Sequence, residues 1–127
     1  MLMLEDARRI TAAARRTALD NGWNVVIAVV DDGGHLICLE RMDGTQKGSV
    51  RVAEQKARTA ILFRRPTKVF EDGAAQAKPG FMTMADVICL EGGLPLVRDG
   101  VYVGAIGVSG VKSSEDGVIA AAGAAAL

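Results

Sequence analysis

The spacing of hydrophobic residues along the chain predicts four helices. In the first of them, Ala7, Ile10 and Ala14 recur on one face, while most of the arginines of the segment lie elsewhere. The third begins after Thr67, a residue type that commonly caps a helix start. The predicted helices are Leu4–Asp20, Ser49–Phe63, a short segment from Thr67 to about Ala77, and Ser113–Ala126.

Short apolar runs between these helices predict strands that are joined as hairpins. The run Val25–Val30 is continuously apolar, which is typical of a strand covered on both faces. The sequence Asp-Gly-Gly that follows favours a tight turn, because glycine accepts a positive φ. The other predicted strands are His35–Met42, a short strand just before Gly92, Leu94–Arg98 and Val101–Ser109. This pattern predicts one α/β domain over residues 1–127, with a largely antiparallel sheet covered by helices.

Composition and charge exclude several classes of partner. Fifteen basic and fifteen acidic residues cancel and are scattered, so nothing in the sequence indicates a basic face for nucleic acid. Aromatic residues make up only 4% of the chain, which disfavours stacking platforms for single strands. No apolar run reaches the ~20 residues that span a bilayer, and the N-terminal segment lacks the apolar core of a signal peptide. We therefore predict a cytoplasmic protein with no nucleic-acid and no membrane partner.

The two cysteines predict no cross-link. Cys38 and Cys89 each lie in an apolar run, which favours buried free thiols over a disulfide or a metal pair. The sequence contains no CxxC, HExxH or Cys/His cluster of the kind that holds structural zinc.

The glycine-rich segment from Gly100 to Gly117 has the composition of a nucleotide-binding loop but not its spacing. A Walker A loop requires glycine five positions before Gly110, where Ala105 stands, and it requires lysine directly after Gly110. The dinucleotide fingerprint is excluded as well, because a hairpin precedes these glycines. Glycines inside a strand indicate a close approach, either of the alanine-rich last helix or of a ligand.

The segment at the start of the last helix has two interpretations. The amides from Gly110 to Ser114 precede a helix N-terminus, which favours a nearby anion. Ser113 and Asp116 also have the spacing of a capping box, which makes Asp116 a candidate capping carboxylate.

Four segments together resemble the GlcG/HbpS family, the haem-degrading domain family that includes the C-terminal domain of PduO-type proteins. They are "VVDDGGHLICLERMDG", "SVRVAEQKARTAILFRRPT", "EGGLPLVRDGVYVGAIGVSG" and "EDGVIAAAG", and they keep this order between Val29 and Gly123. The resemblance implies a profilin-like three-layer α/β/α fold with a central five-stranded antiparallel sheet. It also implies a homo-oligomer. Some members of the family bind haem, and others are encoded with catabolic pathways.

The resemblance makes His35 a candidate metal ligand for haem iron. It is the only histidine, it lies in the pattern "GGHL", and imidazole is the commonest protein ligand of haem iron. Arg41 and Asp43, in the family pattern "RMDG", are candidate ligand-binding residues, and the planar fork of Arg41 suits a carboxylate or a haem propionate. The alternative axial ligands are Met42, Met82, Met84, Cys38, Cys89 and Tyr102.

Lys56 is the most suggestive residue in the second helix. Ala53, Ala57 and Ala60 lie on the same packing side, where a long charged side chain is unusual. One interpretation is an apolar stem with a hydrated ammonium. The other is a ligand-binding or catalytic lysine in a partly dry pocket, where its pKa would fall.

Glu91 and Asp116 are the candidate acids and bases that accompany this lysine. Glu91 is assigned this role on the expectation that it approaches Lys56 or Arg41. Ser109 is a candidate hydroxyl donor. The remaining candidate ligand-binding residues are Gly92, Gly93 and Gly110.

These residues lead to three hypotheses. The favoured one is a small-molecule-binding protein of the GlcG/HbpS type, whose anionic ligand is haem or a small carboxylate. The alternative is a cofactor-free enzyme, an isomerase, tautomerase or hydrolase, which acts on a small organic acid. The third is a structural or regulatory oligomer with no ligand of its own.

Overall fold

The computed structural model describes all 127 residues. It confirms an α/β domain with four helices and an antiparallel sheet. The elements are α1 (Leu4–Asp20), β1 (Val26–Asp31), β2 (Leu36–Arg41), α2 (Ser49–Phe63), α3 (Lys68–Ala75), a single 3-10 turn (Pro79–Met82), β3 (Gly93–Arg98), β4 (Val101–Ser109) and α4 (Ser113–Ala124). The bounds of α1, α2 and β4 are those predicted, while α3 and α4 end two residues earlier than predicted.

The prediction of a five-stranded sheet is wrong, because the sheet has four strands in the order β2-β1-β4-β3. The segment before β3 does not form the expected short strand. Its amides bond to side chains instead: Ile88 donates to the hydroxyl of Thr59 at 3.2 Å, and Glu91 donates to the carboxylate of Glu71 at 3.3 Å. An apolar run whose amides are satisfied by neighbouring helices has no need of a strand partner.

Helices cover both faces of the sheet. Ala53 of α2 packs against Val26 and Ala28 on one face. On the other face, Ile10 of α1 and Ile119 of α4 belong to the largest apolar cluster of the protein. Every residue of β1 from Val26 to Val30 is buried, as the continuous apolar run predicted. The result is a three-layer arrangement with the sheet in the middle.

A close approach of backbone to backbone fixes α2 on the sheet at Gly107. A Cβ built on Gly107 would overlap the carbonyl oxygen of Ala53 and lie 2.5 Å from the backbone nitrogen of Ala57. The prediction that strand glycines mark close packing therefore holds at Gly107, but the helix involved is α2 and not the last helix. At Gly104 the nearest atoms belong to Val30 of the adjacent strand and to Leu2.

Cys38 and Cys89 are free, as predicted, and both are half-buried rather than fully buried. No helix of the structure has the length and apolar character required to cross a membrane.

We expect Gly107→Ala to lower the free energy of unfolding by about 1–3 kcal/mol, because the added methyl group forces α2 away from the sheet. Urea denaturation followed by circular dichroism measures this loss. The matched control is Gly80→Ala, since a Cβ at Gly80 meets no atom within 4 Å. Equal stability of the two variants would contradict the close approach.

Candidate functional site

A polar cleft of about 520 Å³ lies where β4 ends, between the starts of α2 and α4. Both helices direct their N-termini toward this region, and the first amides of a helix have no acceptor within the helix. The polar side chains that line the cleft are Gln46, Ser49, Lys56, Ser109, Ser113 and Asp116. Three residues predicted from the sequence, Lys56, Ser109 and Asp116, are therefore brought together.

A buried ion pair forms the floor of the polar cleft. The Lys56 Nζ lies 3.0 Å from Asp116 Oδ2, and the side chains are only 2% and 3% exposed. The same ammonium donates to the carbonyl oxygen of Val108 at 2.9 Å. The interpretation of a hydrated ammonium is thus wrong, because the lysine stem follows the packing face of α2 to the end of β4 and meets a carboxylate there.

Gly92 makes room for this pair. A Cβ on Gly92 would lie 2.9 Å from the Lys56 Nζ and 3.0 Å from the Cβ of Asp116. On the next residue, Gly93, it would lie 2.7 Å from the methyl group of Thr67. These glycines were predicted to bind ligand; they do not line the polar cleft, and they line a separate cavity beside Glu91 instead.

The Asp116 carboxylate is held by two groups. Its Oδ1 accepts a hydrogen bond from the amide of Val111 at 3.1 Å, while its Oδ2 accepts from Lys56. Burial raises the pKa of Asp116, because it penalises the charged form, and the ammonium of Lys56 opposes that rise. An acid with a raised pKa next to a cleft is a candidate for proton transfer.

The predicted capping box of α4 is displaced by one residue. The amide of Lys112 donates to the carboxylate of Glu115 at 3.2 Å. Because Lys112 rather than Ser113 caps the helix, the third helical residue is Glu115 and not Asp116. Asp116 is thereby free to face Lys56.

Ser109 and Ser49 join their hydroxyl groups inside the polar cleft. The Ser109 hydroxyl donates to Ser49 at 3.1 Å, and the Gln46 side-chain amide donates to Ser49 at 3.0 Å. Ser49 is 1% exposed and Ser109 is 6% exposed. The sequence analysis did not identify Ser49 and Gln46 as site residues. The position of Ser49 as the first residue of an amphipathic helix is a sequence signal that could have pointed to it.

His35 lies far from this group of residues. It is exposed in the turn between β1 and β2, and its amide donates to the carboxylate of Asp31. Asp31 pairs with Gly104 near the start of β4, whereas Ser109 pairs with Val26 at the other end of β1. The turn and the polar cleft therefore occupy opposite ends of the sheet. No group of three or more His, Cys, Asp or Glu residues converges as a metal site.

Arg41 and Asp43 line a separate surface depression of about 340 Å³. Arg15 and Met42 also line it, and Arg15 forms an ion pair with Glu40. The depression is at the same end of the sheet as the polar cleft, but neither Arg41 nor Asp43 lines the cleft.

Glu91 faces a further cavity of about 290 Å³, together with Gly92, Gly93 and Gly117. It forms no ion pair with Lys56 or Arg41, so the approach expected from the sequence does not occur. The absence of a side chain on Gly117 lets the Glu91 carboxylate lie directly against α4. Gly110 is also outside the polar cleft, since its Cα faces the carbonyl oxygen of Asn24.

The fold and the cleft define a mixed α/β domain with an antiparallel sheet and a buried ion pair at the starts of two helices. The model of the family "Haem degrading protein HbpS-like" matches residues 2–125. The chain belongs to this HbpS-like family, as the resemblance of its sequence indicated.

Relatives and solved structures support this membership. Protein GlcG of Escherichia coli strain K12 is 44% identical over 109 residues, which cover 86% of this chain and 81% of GlcG. A double mutant of HbpS from Streptomyces reticuli is 36% identical, covers 99% of this chain and 86% of its own, and has a TM-score of 0.91. A PduOC:haem complex is 28% identical, covers 99% and 94% of the two chains, and has a TM-score of 0.89.

Haem, which the family description implies, fits the candidate residues poorly at two places. His35 is exposed and lines none of the cavities of the structure. The polar cleft presents hydroxyl groups and an ion pair. An apolar macrocycle would shield these polar groups from water without offering hydrogen bonds in return, which is unfavourable.

We expect Lys56→Met and Asp116→Leu each to lower the free energy of unfolding by about 3–5 kcal/mol, because each leaves one buried charge without its partner. The double variant removes both charges and loses about 1–3 kcal/mol less than the sum of the single losses. Urea denaturation of the four proteins measures this coupling. Strictly additive losses would contradict the ion pair.

The Lys56→Met variant also has an expected pH dependence. With no ammonium to oppose burial, the raised pKa of Asp116 makes the protonated form the one compatible with folding. The stability of this variant should therefore recover as the pH falls through the raised pKa of Asp116, and decline again as the pH rises. Urea denaturation across this pH range, compared with the double variant, isolates the contribution of Asp116.

Proposed function

We propose that this chain is a small-molecule-binding protein of the HbpS-like type and that the polar cleft takes a small carboxylate. The observation that carries this proposal is the pair of buried hydroxyl groups of Ser49 and Ser109, 3.1 Å apart between two helix starts. Buried hydroxyl groups at the wall of a cleft are suited to orient one polar ligand.

The charges around the cleft favour an anion. Lys56 and Asp116 neutralise each other, so the ion pair adds no net charge. The two helix N-termini contribute partial positive charge from their aligned peptide dipoles. A hydroxyl group rotates to donate or accept, and Ser49, which accepts from Ser109, keeps its own proton for a ligand oxygen.

Size and polarity favour a small ligand in this cleft. Most of the side chains that line it are polar, and Val52, Leu90 and Val111 are its apolar residues. A compact organic acid leaves the ion pair covered and still bonds to the hydroxyl groups. Haem does not meet these conditions here, since its macrocycle offers no hydrogen bond to Ser49 or Ser109.

We expect Ser109→Ala and Ser49→Ala each to weaken the binding of a small carboxylate about three- to tenfold, because each removes one hydrogen bond. A thermal-shift screen of aliphatic hydroxy acids and aromatic acids finds the ligand, and isothermal titration calorimetry measures the affinity. Ser114→Ala is the matched control, since Ser114 is exposed at the start of α4, next to the cleft but not among the residues that line it.

The uncharged amide of each acid tests the requirement for an anion. It should bind more weakly than the acid itself. If no acid shifts the melting temperature, or if Ser114→Ala weakens binding as much as Ser109→Ala, the proposal fails.

A second candidate function is a cofactor-free enzyme, and the raised pKa of Asp116 beside the cleft favours it. In this reaction the Asp116 carboxylate takes a proton from the α-carbon of a bound acid and later returns it. The ammonium of Lys56 holds the Asp116 carboxylate in place. We expect slow exchange of the α-protons of the bound acid in D2O, measured by proton NMR. Asp116→Glu keeps the charge but displaces the carboxyl group, so it should slow the exchange, whereas unchanged exchange would remove Asp116 from this role.

Self-association and a cytoplasmic location remain predictions from the resemblance and the sequence. Exposed Leu19, Leu62 and Val101 are available for contacts between copies. Sedimentation velocity distinguishes a monomer from an oligomer.

A further inference from the structure

Lys56 carries the only primary amine in the lining of the polar cleft. In the proposed carboxylate complex it acts as the counter-ion of Asp116, and its nitrogen takes no part in chemistry. A buried lysine at the wall of a binding cleft is, however, the group with which proteins form covalent bonds to carbonyl compounds. The other lysines of the chain, all of them exposed, are Lys47, Lys68, Lys78 and Lys112.

The Lys56 nitrogen has one proton without an acceptor in the protein. An ammonium group carries three protons, and its two acceptors here are Asp116 and the carbonyl oxygen of Val108. Because Lys56 lines the polar cleft, the remaining partner of this nitrogen is an atom of a molecule bound there.

The same nitrogen ends next to the residues whose hydroxyl groups are proposed to hold a carboxylate. Ser49 and Lys56 are two turns apart on α2 and therefore share one face of the helix. Helical side chains lean toward the N-terminus, so the lysine stem runs back in the direction of Ser49. Its nitrogen contacts Val108, the residue directly before Ser109. A ligand whose carboxylate meets the two hydroxyl groups thus presents its neighbouring carbon atom to the Lys56 nitrogen.

We propose that Lys56 forms a Schiff base with an α-keto acid that is bound in the polar cleft. The inference rests on the proposed function, since Ser49 and Ser109 must first hold the carboxylate of the ligand. An α-keto acid is the most compact molecule in which a carboxylate and an electrophilic carbonyl carbon are adjacent. A simple acid or a hydroxy acid offers the amine no carbonyl carbon to attack.

The reaction balances within the ion pair and releases one water molecule. Lys56 gives a proton to the Asp116 carboxylate, and the free amine attacks the keto carbon, so that a C–N bond forms and the C=O double bond opens. The keto oxygen then takes one proton from the nitrogen and the proton from Asp116, and it leaves as water. The product is a C=N double bond that carries one N–H and a positive charge, next to an ionised Asp116.

The surroundings of the ion pair suit this sequence of proton transfers. Asp116 Oδ2 lies 3.0 Å from the Lys56 nitrogen, and the amide of Val111 holds the other carboxylate oxygen in place. Burial raises the pKa of Asp116, so this carboxylate accepts a proton more readily than an exposed one. The protonated Schiff base preserves the charge of the lysine, and its N–H still donates to Asp116. Only the hydrogen bond to Val108 is given up.

Reductive trapping tests the proposal, with pyruvate as the α-keto acid and sodium cyanoborohydride as the reductant. The reductant converts the Schiff base to a stable secondary amine, which intact-protein mass spectrometry counts and peptide mapping locates. We expect one adduct per chain on Lys56, formed about tenfold or more faster than adducts on the exposed lysines, because binding places the keto group beside the amine.

Two variants separate the reactive amine from the positive charge. Lys56→Arg keeps a cation for Asp116 but has no primary amine, so it should lose the fast adduct. Lys112→Arg is the matched control, because Lys112 is exposed at the start of α4 and does not line the cleft. This control should form the adduct at the rate of the wild type.

Two further compounds test the roles of the carboxylate and the keto group. Acetone has the carbonyl group without the carboxylate, and it should label Lys56 about tenfold more slowly than pyruvate does. Propionate has the carboxylate without the keto group, and it should slow the labelling by pyruvate through competition for the cleft.

Peptide mapping of the wild-type adduct identifies the modified lysine even if Lys56→Arg does not fold. The Schiff base is overturned if calorimetry detects binding of pyruvate but Lys56 is not modified, or if the exposed lysines react as fast as Lys56. It is also overturned if folded Lys56→Arg keeps the fast adduct. If calorimetry detects no binding of pyruvate or of any other carboxylate, the proposed binding function fails, and the Schiff base fails with it.

Discussion

The pairing of Lys56 with Asp116 is the constraint on which the polar cleft depends. It joins α2 to α4 across the last residues of β4, and the two partners are 60 positions apart in the sequence. Because either charge buried without its partner is costly, the pair favours one relative position of α2 and α4. That position creates the polar cleft and brings Ser49 beside Ser109.

A polar and an apolar cavity lie at the two ends of α2. The N-terminal end of this helix contributes Ser49 and the positive end of the helix dipole. Its C-terminal end contributes Phe63 and lies beside Arg65. A single helix therefore lines two cavities of different polarity, and the alanine face between them packs on the sheet.

The sequence predicted most of the fold because periodicity and turn chemistry are local signals. It also singled out Lys56, since a lysine among alanines contradicts the ordinary helix pattern. It did not predict the partner of Lys56, because contact between residues far apart in the chain follows from tertiary packing. Ser49 was missed because its contact with Ser109 also depends on tertiary packing. A strand was wrongly expected just before Gly92, because apolar character alone does not say whether Ile88 bonds to a strand or to Thr59.

The close approach of α2 to Gly107 has a consequence for the kinetics of recognition. With two backbones in direct contact, the helix has no soft layer of side chains on which to slide or tilt. For the proposed carboxylate, the polar cleft is then a preformed surface, and little conformational entropy of the protein is lost on binding. We therefore expect diffusion and orientation to set the association rate of such a ligand, and differences in affinity between ligands to arise from their dissociation rates.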